Sequence, residues 1–593
     1  MKGFIGRFKK ERDNFSLKSM LLPSEEVSIK EYENFSIKYS NLSSTSFLET
    51  QDLIIVLEGF ISNFESLKNL FSLESSRDIE LISDLFHLDQ LNFQNFLLGN
   101  FSISIFNKTD QELILIRDHF GSIPIFYIND SNSLIFSTEI SSLLAIEEIE
   151  FNVDRYNLID FLSLRGMDLE RTFYKEVKKI KPSSMLRMLK SKKSLDLFDY
   201  EGDLTNTRTN DENPLPEFTE LLENSIKNSS DNETRAGVML SGGLDSSAIT
   251  LGMKNSGFAN VHTFSGNFTH LNSAEKELTD ETKFQQIVAN QTGFKHDHIS
   301  LDGVSPLKAI KEFIPIFCEP FHMPNLYLFK EIAEKASMEK IKVMYDGQDG
   351  DNVISHGLER FFELLYQLKL LTLIREVLLY AKFNQIKLKN LIKFLISQLL
   401  LKARINLRTG VNTTILKDEI FFDKRFYKKV NNSIFDSHKS KLENSMHVTA
   451  FEQRRLVFSN YGIENRSPFY SKELINFCIS LPSSWKLREG KGRYILREYL
   501  RSGFSREIYL RNKKANLSYG LLENLDKEDI KEIEKEIKDI NPKLMNLVEK
   551  KKLEKIIRKK SLEDRDIMNL FSFYIANIWL KSTQGKIKSS IAP

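Results

Sequence analysis

The feature that most constrains this chain is a Ser/Gly-rich loop between a short apolar run and a helical pattern. The loop is Ser241–Ser247 (SGGLDSS), the apolar run before it is Ala236–Leu240, and the helical pattern after it is Ala248–Met253. This order predicts a buried strand, a tight turn and the N-terminus of a helix. Free backbone N–H groups and the positive end of the helix dipole then point to one place, which favours an anion site.

The composition of the loop indicates which anion it could hold. Its two glycines let the backbone come close to a ligand, its serines add hydroxyl donors, and Asp245 can share Mg²⁺ with phosphate oxygens. The loop has no lysine, so it differs from the common GxxxxGK[ST] nucleotide loop. It resembles the pyrophosphate-binding loop of the ATP pyrophosphatase superfamily, whose members split ATP between its α and β phosphates. The alternative is an ordinary Gly-Ser turn with a helix cap.

Length and composition limit the kind of protein this can be. At 593 residues the chain can form two or more domains, and a net charge of +2 argues against nucleic-acid binding through bulk electrostatics. Its two cysteines, Cys318 and Cys478, form no disulfide framework and suit a reducing compartment. We find no signal peptide and no apolar window long enough to span a bilayer, so we expect a cytoplasmic protein without a membrane span.

The chain divides at a polar segment. Residues 201–217 are rich in Asn, Asp, Thr and Pro without an apolar period, which predicts a linker. Residues 1–200 before it carry short apolar runs typical of an antiparallel, strand-rich domain: Asp52–Leu57, Phe101–Phe106, Leu113–Ile116, Ile123–Ile128 and Leu134–Ser137. In residues 218–593 helical patterns alternate with the candidate strands Val238–Leu240, Val261–Phe264 and Ile341–Tyr345. That alternation predicts a doubly wound parallel sheet, followed by a mainly helical part.

Three segments of the first half occur in the order and spacing of a known domain. They are Gly99–Phe106, Leu115–Gly121 and Leu134–Ile140. They resemble the glutaminase domain of the asparagine synthetase family, and the two halves together resemble that family over nearly the whole chain. The resemblance implies an N-terminal Ntn-hydrolase-like antiparallel β-sandwich with flanking helices. It also implies a C-terminal ATP pyrophosphatase domain of doubly wound parallel α/β type, so the fold class is α/β plus α+β.

The chemistry of the glutaminase domain is missing from this sequence. Family glutaminases need a cysteine directly after the initiator Met, and here that position is Lys2, which cannot replace a thiolate. The family's substrate-holding segment NGEIYN is Glu58–Asn63 (EGFISN) in this chain. Glu58 would repel a developing oxyanion, and Phe60 replaces the acid that would hold the glutamine amine. The resemblance therefore implies a retained structural domain that does not hydrolyse glutamine.

The synthetase half keeps the family's motifs in order. Asp346–Asp351 (DGQDGD) follows the third candidate strand, where the family carries SGEGxDE. Arg511–Lys513 matches the family's Arg-x-Lys, whose lysine faces the phosphates. The resemblance implies that Asp245 and Asp351 hold Mg²⁺ on the departing pyrophosphate of ATP. The expected contacts to the nucleotide and its pyrophosphate are Leu240, Ser241, Gly242, Gly243, Asp245, Ser246, Ser247, Ser265 and Gly347.

One position in these motifs departs from the family and bears on the acceptor, the nucleophile that takes the activated acyl group. Members that use aspartate have Glu where this chain has Gln348, and β-lactam-forming relatives have Tyr there. Gln348 is neutral and cannot act as a general base, so a base must come from elsewhere or be unnecessary. Asp349, Glu319 and His356 are the candidates that the sequence leaves open. The catalytic set that we expect is Lys513, Lys491, Gln348 and Asp349.

Several segments resemble one branch of the family, the lasso-peptide macrolactam synthetases. They are Asp349–Gly357, Gly462–Tyr470, Lys513–Ser518 and the apolar helix Leu570–Leu580. Members of that branch also lack the N-terminal cysteine. They adenylate an Asp or Glu side chain of a precursor peptide with ATP, and the peptide's own N-terminal amine then displaces AMP to close a ring. The resemblance implies a precursor peptide (core plus leader) as substrate, with a leader-binding protein and a leader protease as further partners.

Other interpretations stay open at this point. The chain could be an asparagine synthetase that uses free ammonia, or a non-catalytic binding partner that retains the fold. In the helical stretch Phe361–Arg408 we expect mostly core, with one face available to a leader peptide, a protease or a membrane surface. Lys527–Lys560 is dense in Lys and Glu at helical spacing, which is typical of a solvated face and, less often, of a docking surface.

Overall fold

The computed structural model describes most of the chain. The described residues are 3–10, 27–40, 44–90, 92–192, 195–200, 213–229, 235–268, 281–402, 415–417, 420, 442, 445–512, 521, 524–525, 527–559 and 562–583. Lys2, Lys513 and residues 201–212 of the predicted linker lie outside them, so what we expect of these positions stays a prediction.

The strands and helices of the described residues follow each other differently in the two halves. The strands are β1 Phe4–Lys9, β2 Val27–Glu31, β3 Phe35–Ser40, β4 Thr45–Glu49, β5 Leu53–Ile61, β6 Gly99–Asn107, β7 Glu112–Arg117, β8 Phe126–Asn129, β9 Ser133–Ser137, β10 Lys178–Lys179, β11 Ser184–Leu189, β12 Leu195–Asp199, β13 Ala236–Met239, β14 Val261–Asn267, β15 Lys295–Ser300, β16 Val343–Tyr345, β17 Glu464–Arg466, β18 Leu487–Arg488 and β19 Lys491–Gly492. The helices are α1 Phe64–Phe71, α2 Asp78–Leu88, α3 Ile140–Leu144, α4 Arg155–Leu162, α5 Leu215–Asn228, α6 Leu244–Asn255, α7 Thr282–Thr292, α8 Pro306–Phe317, α9 Leu326–Met338, α10 Gly350–Ile354, α11 Glu359–Tyr366, α12 Leu370–Phe383, α13 Leu388–Lys402, α14 Ser445–Asn460, α15 Lys472–Ser480, α16 Ser483–Lys486, α17 Tyr494–Arg501, α18 Arg506–Tyr509, α19 Lys527–Lys538, α20 Pro542–Met545, α21 Lys550–Ile557 and α22 Asp564–Ser582.

The first half is built from two facing antiparallel sheets. One has the strand order β10-β8-β9-β1-β3-β2 and the other the order β12-β11-β7-β6-β5-β4. Aromatic side chains such as Phe4, Phe35, Phe106 and Phe136 fill the space between them, and Phe35 stacks on Phe106 with ring centroids 4.6 Å apart. Helices α1 and α2 contribute to the core on the outer side of the second sheet. The predicted antiparallel β-sandwich with flanking helices is confirmed.

The second half is built around one parallel sheet. Its strand order is β15-β14-β13-β16-β17, and each neighbouring pair is parallel. The chain starts in the middle at β13, proceeds to β14 and β15 on one side, and then returns to add β16 and β17 on the other. This is the doubly wound arrangement that was predicted, with a crevice expected where the order reverses between β13 and β16. The third predicted strand is shorter than expected, since β16 begins at Val343.

The boundary between the halves differs slightly from the predicted linker. Strand β12 ends at Asp199, and α5 begins at Leu215 with Pro216 in its first turn. Proline is tolerated there because the first N–H groups of a helix have no partner within it. The last residues of the expected linker, 215–217, therefore belong to a helix, whereas residues 201–212 are not described.

One hydrophobic core joins the two halves. It contains Phe173 of the first half together with Phe313 of α8 and Trp579 of α22. The indole N–H of Trp579 donates to the carbonyl of Cys318 at 2.9 Å, and its ring lies edge-on to Phe173 with centroids 5.5 Å apart. The C-terminal helix therefore fixes the halves against each other. Within the described part of the chain, no helix is both long and apolar enough to cross a membrane.

The Lys/Glu-rich segment forms three short helices rather than one. α19 ends before Asn541, whose side chain accepts the N–H of Lys543 to cap α20, and α21 follows. Ile533 and Leu553 are buried in the core between the halves, whereas Lys550 and Lys551 are exposed. The segment is thus amphipathic, with one face in the core and a charged face toward solvent.

Candidate active site

A large cavity lies at the carboxyl ends of β13, β14 and β16, where the strand order of the parallel sheet reverses. Its volume is about 590 Å³, which is in the range of small-molecule sites. Helices that leave such a switch point go to opposite faces of the sheet and leave a crevice between them. The cavity brings together ten of the predicted site residues, namely Leu240, Ser241, Gly243, Asp245, Ser246, Ser265, Gly347, Gln348, Asp349 and Asp351.

The Ser/Gly-rich loop forms the floor of this cavity. Gly242 has a φ of +75° and approaches α7 so closely that a Cβ atom there would lie 2.9 Å from the Cβ of Phe284. The Ser246 hydroxyl accepts the N–H of Ser241 at 3.2 Å, and the Ser241 hydroxyl accepts the N–H of Gly243 at 3.2 Å. These bonds set the shape of the loop and direct its chain into the N-terminus of α6. An anion that contacts this turn meets the positive end of the helix dipole.

The loop after β16 packs directly on the start of α6. A Cβ atom at Gly347 would lie 2.6 Å from the backbone nitrogen of Ser246, and one at Gly350 would lie 2.8 Å from Oδ1 of Asp245. A side chain at position 347 would therefore displace the backbone at the start of α6, and one at position 350 would displace the Asp245 side chain. The approach brings Asp351, which follows Gly350, to the same cavity as Asp245.

Asp245 is held by an arginine that the sequence reasoning missed. Nη1 of Arg493 donates to both carboxylate oxygens of Asp245, each at 2.8 Å, and both residues line the cavity. The sequence placed the cation two residues earlier, at Lys491. The Lys491 side chain instead pairs with Glu489 at 3.1 Å and is not among the cavity-lining residues. The difference arises because Arg493 is in the left-handed conformation (φ +53°) between β19 and α17, so the alternation of a strand does not continue through it.

Three further arginines surround the cavity, and each is anchored. Arg511 pairs with Glu281, donates to the carbonyl of Gly242, and lies over the ring of Phe284 at 4.3 Å. Arg497 donates to three backbone carbonyls, and burial, followed by the charge of Arg493, lowers its pKa to about 9. The cavity therefore offers arginines with fixed geometry, the side chains best suited to phosphate oxygens, and they lie among the carboxylates of Asp245, Glu281, Asp346, Asp349 and Asp351.

The third arginine belongs to a network around a buried carboxylate. Arg454 donates to Asp346 at 2.7 Å, and Asn465 and Ser467 donate to the same carboxylate at 3.0 and 2.7 Å. The N–H of Gln348 also donates to Asp346 at 3.0 Å. Since its oxygens accept four hydrogen bonds, Asp346 orders the loop after β16 and ties it to α14.

Asp349 is fixed in its ionised form. His447 and Tyr470 contact its Oδ2 atom at 2.8 and 2.7 Å, and the side-chain amides of Gln348 and Asn352 donate to it at 3.3 and 3.1 Å. Burial raises the pKa of Asp349, but His447, Tyr470 and Gln348 together outweigh it and lower the pKa to about 2. A carboxylate with so low a pKa is a poor proton acceptor near neutral pH. The contacts of Asp349 fit a role in shaping the loop better than the role of a general base.

Glu319, the second of the three candidate bases, is not in this cavity. Its Oε1 atom accepts the N–H of Phe173 at 2.7 Å, and it lines a small cavity between the two halves beside Lys179 and Glu452. Sequence order alone could not exclude it, because the loop that carries Glu319 connects α8 to α9 and contacts Phe173 and Tyr174 of the first half. Of the three candidate bases, His356 and Asp349 line the large cavity.

The environment of Glu319 leads to a pH-dependent prediction. Burial raises the pKa of this carboxyl to about 7, against its ordinary value of 4.5. As the pH rises from 4.5 to 7, the unfolded chain loses a proton that the folded chain keeps, so this group costs stability on the order of 1–3 kcal/mol by pH 8. Glu319→Gln should remove that loss, which urea unfolding between pH 5 and 8 would reveal as a higher midpoint at pH 8 and little change at pH 5.

Glu534→Gln provides the control for that measurement, because the Glu534 side chain is exposed. Its urea midpoint should equal that of the parent at each pH. A Glu319→Gln protein that is less stable than the parent by the same amount at every pH would mean that Glu319 is ionised in the folded state.

Two other predicted contacts occupy positions near the cavity but do not line it. Ser247 is fully buried within α6, and Gly242 faces α7 and Arg511. Ser265 does line the cavity, and its hydroxyl donates to the carbonyl of Leu240, linking β14 to the end of β13. Lys513 lies outside the described residues, so its role stays a prediction.

The donor set suits a magnesium–phosphate complex. Mg²⁺ usually takes one or two protein carboxylates and completes its shell with water and substrate phosphates. Asp245 and Asp351 line one cavity beside a helix N-terminus, which is such a set. The described residues contain no group of three or more His, Cys, Asp or Glu side chains that could hold an ion by themselves. Asp245 and Asp351 could bind an ion that arrives together with its nucleotide.

The region that corresponds to a glutaminase site is filled by contacts between the halves. Glu58 is buried and pairs with Arg455 of α14, which also contacts Glu139 at 3.3 Å. The guanidinium of Arg466 lies over the ring of Phe60 at 4.6 Å. The two positions that replace the glutamine-binding residues are thus used to hold the second half of the chain.

The fold and the cavity together define a two-domain protein with a nucleotide-type site on its parallel sheet. Comparisons with known proteins agree, since residues 217–581 match the family model described as asparagine synthase and residues 41–199 match that of a glutamine amidotransferase domain. The first match covers more than half of the chain. The chain belongs to the asparagine synthase family.

Relatives of this chain carry the corresponding names. A Methanocaldococcus jannaschii protein provisionally named asparagine synthetase [glutamine-hydrolyzing] 2 is 26% identical over 317 residues, which are 52% of this chain and 59% of that protein. Asparagine synthetase [glutamine-hydrolyzing] 2 of Bacillus subtilis is 24% identical over 332 residues, which are 51% of this chain and 42% of that protein. Asparagine synthetase B of Escherichia coli is 24% identical over 338 residues, 54% of this chain and 55% of that protein. The matched regions thus span about half the length of these relatives.

Proposed function

We propose that this protein is an ATP-dependent, AMP-forming amide synthetase that closes a macrolactam in a precursor peptide. Its family consists of ATP-dependent carbon–nitrogen ligases. The observation that carries the finer proposal is the pairing of Glu58 with Arg455 at the position where a glutaminase would stabilise its oxyanion. If the first half cannot release ammonia from glutamine, the second half needs an amine from another source. A peptide that carries its own amine provides one.

The chemistry proceeds in two steps. An Asp or Glu side-chain oxygen of the peptide attacks the α-phosphorus of ATP, and the bond to the β-phosphate oxygen breaks to release pyrophosphate. The N-terminal amine of the same peptide then attacks the acyl carbon of the mixed anhydride, AMP leaves with the electrons of the acyl C–O bond, and the amine proton passes to solvent. An α-amine has a pKa near 8 and is partly neutral at pH 7, so a neutral Gln348 is compatible with this step.

The residues of the cavity support the first step in different ways. The first backbone N–H groups of α6, at residues 244–246, would contact the pyrophosphate, and Arg493 would exchange its contact with Asp245 for one with the phosphates. Asp245 and Asp351 would hold Mg²⁺, which neutralises charge on the departing pyrophosphate. Lys513 would add a further positive charge. Holding the amine and the activated carboxyl in one closed site supplies much of the rate of the second step.

A second candidate is an asparagine synthetase that takes free ammonia. The names of the relatives favour it, and the same cavity would adenylate aspartate in place of a peptide. The two proposals share the first step and differ in the carboxyl substrate and the amine. Neutral Gln348, at the position where aspartate-using members of the family have Glu, favours the peptide.

The experiment compares the products of the full-length chain with Mg²⁺-ATP and two substrate sets. One set is a synthetic precursor peptide taken from a small neighbouring reading frame, and the other is aspartate with ammonium. The peptide proposal predicts AMP, pyrophosphate and a peptide that is lighter by one water, with no asparagine formed. Carboxypeptidase digestion of that peptide should stop when it reaches the ring. If asparagine forms and the peptide stays unchanged, the peptide proposal is wrong and the second candidate is supported. Release of ADP and orthophosphate would contradict both candidates.

A further inference from the structure

A helical hairpin beside the cavity carries an unusual outer surface. It consists of α12 and α13, with residues 366–369 leading into it. Of the 21 large apolar side chains that are exposed in the described residues, 11 lie in this segment: Tyr366, Leu368, Leu370, Leu371, Ile374, Leu378, Ile386, Leu388, Ile392, Phe394 and Ile396. Leu368 and Leu371 are 80% and 86% exposed. Clustered apolar exposure of this kind marks an interaction surface, whereas scattered apolar residues do not.

The same surface is strongly basic. Six exposed cations lie between the apolar side chains, namely Lys369, Arg375, Lys382, Lys387, Lys389 and Lys393. The one acidic residue between positions 366 and 399 is Glu376, which is buried and accepts the N–H groups of Glu489 and Gly490 at 3.2 and 2.9 Å. The whole chain has a net charge of only +2, so positive charge is concentrated on this hairpin.

The position of the hairpin separates an inner face from an outer one. Tyr380 and Asn384 line the large cavity, and the backbone at Leu379 packs against Gly490, where a Cβ atom would lie 2.3 Å from the Leu379 carbonyl carbon. α13 makes its most extensive contact with α12. The inner face thus closes the cavity, while α13 and the turn before α12 project outward.

We propose that this hairpin docks the protein on the surface of an anionic lipid bilayer. Lysine and arginine side chains would contact lipid headgroups, and the projecting leucines, isoleucines and Phe394 would enter the boundary between headgroups and acyl chains. A flat membrane surface suits this projecting pair of helices better than a peptide does, because amphipathic peptides are bound in apolar grooves. The association is peripheral, and it goes beyond the proposed function because it needs no peptide and no catalysis.

The test is co-sedimentation of the full-length chain with extruded vesicles of phosphatidylcholine alone or with phosphatidylglycerol. Binding should be at least about tenfold stronger to the anionic vesicles, and it should weaken as salt is raised from 0.05 to about 0.5 M. The double variant Lys389→Glu/Lys393→Glu should lose binding at low salt. The double variant Leu368→Ser/Leu371→Ser should lose the part that persists at high salt.

Lys550→Glu/Lys551→Glu is the matched control, since it makes the same charge change on the exposed face of α21 and should bind as the parent does. ATP–pyrophosphate exchange of all variants without vesicles should equal that of the parent, which separates this proposal from the proposed function. Equal binding to both kinds of vesicle, or equal loss in the α13 and α21 variants, would overturn it. A further outcome would also overturn the membrane proposal: the parent does not bind vesicles but self-associates with rising concentration, and Leu368→Ser/Leu371→Ser abolishes the self-association. The exposed apolar face would then be an interface with a second copy of the chain.

Discussion

Asp245→Asn should lower ATP–pyrophosphate exchange by about 10²- to 10³-fold while the protein stays folded. The substitution keeps the size of the side chain but removes the charge that would hold Mg²⁺ and that holds Arg493 at 2.8 Å in this structure. Loss of one group that stabilises developing phosphate charge typically has an effect of this size. The side chain is partly buried beside Gly350, so the amide fits where the carboxylate was.

Exchange of radiolabelled pyrophosphate into ATP, with an N-terminally acetylated precursor peptide as the carboxyl substrate, is the appropriate measurement, because it reports adenylation when no amine can complete the reaction. Asp539→Asn is the matched control, since that carboxylate is 76% exposed, pairs with Lys581 and lies far from the cavity in the fold. Its exchange rate should equal that of the parent. If Asp245→Asn exchanges pyrophosphate at the parental rate, the cavity is not the site of adenylation.

Arg493→Met in the same assay would distinguish two possible roles of Arg493: holding Asp245 in place and contacting the phosphates. If Arg493 only holds Asp245 in place, its loss should be mild when Mg²⁺ is raised, because the metal can then order the carboxylate. If Arg493 contacts the phosphates, raising Mg²⁺ should not restore exchange, and the Michaelis constant for ATP should rise.

The sequence specified the nucleotide side of the cavity well because that chemistry is local. Ser241–Ser247 contains the turn, the helix start and the carboxylate within seven residues, and a strand before it fixes where the turn points. The parallel, doubly wound type of the sheet also followed from the alternation of apolar runs with helical patterns. Strands β15 and β17 were not predicted, because β15 (KHDHIS) is mostly polar and β17 is three residues long.

Other parts of the site depend on contacts between distant segments. Arg493 reaches Asp245 across 248 residues, and nothing in Lys491–Arg493 indicates which of the two cations turns toward the loop. Glu319 was one of the three candidate bases, yet its carboxylate accepts the N–H of Phe173 in the other half. Asp346 looked like an ordinary strand-end residue, and only the fold shows that Arg454, Asn465 and Ser467 meet there.

Helix α14 connects the first half of the chain to the wall of the cavity. On one side of the helix, His447 contacts Asp349 and Arg454 contacts Asp346, the two carboxylates that order the loop after β16. On the other side, Glu452 pairs with Arg117 and Lys179 of the first half at 2.5 and 2.8 Å. The first half therefore supports the wall of the cavity through the contacts of α14.

Arg455→Met should be the most destabilising of the substitutions considered. It leaves Glu58 and Glu139, which are 2% and 3% exposed, without the cation that pairs with both. Removing one partner of a buried ion pair typically costs about 3–5 kcal/mol, because the remaining charge is left in an apolar setting. Arg501→Met is the control, since Arg501 is 64% exposed in its pair with Glu498 and such pairs contribute less than about 1 kcal/mol.

The pH dependence of that loss identifies its cause. Burial already raises the pKa of Glu139 to about 7, with Arg455 opposing the rise and Glu58 adding to it. Without Arg455 the folded chain would hold the proton of Glu139 still more tightly than the unfolded chain does, so stability should fall more steeply as the pH rises from about 5 to 8. Urea unfolding at pH 6 and pH 8 should therefore show a larger deficit at pH 8, with Arg455→Lys intermediate at both. A deficit that is equal at the two pH values would mean that lost packing of α14, and not unpaired charge, is what destabilises the protein.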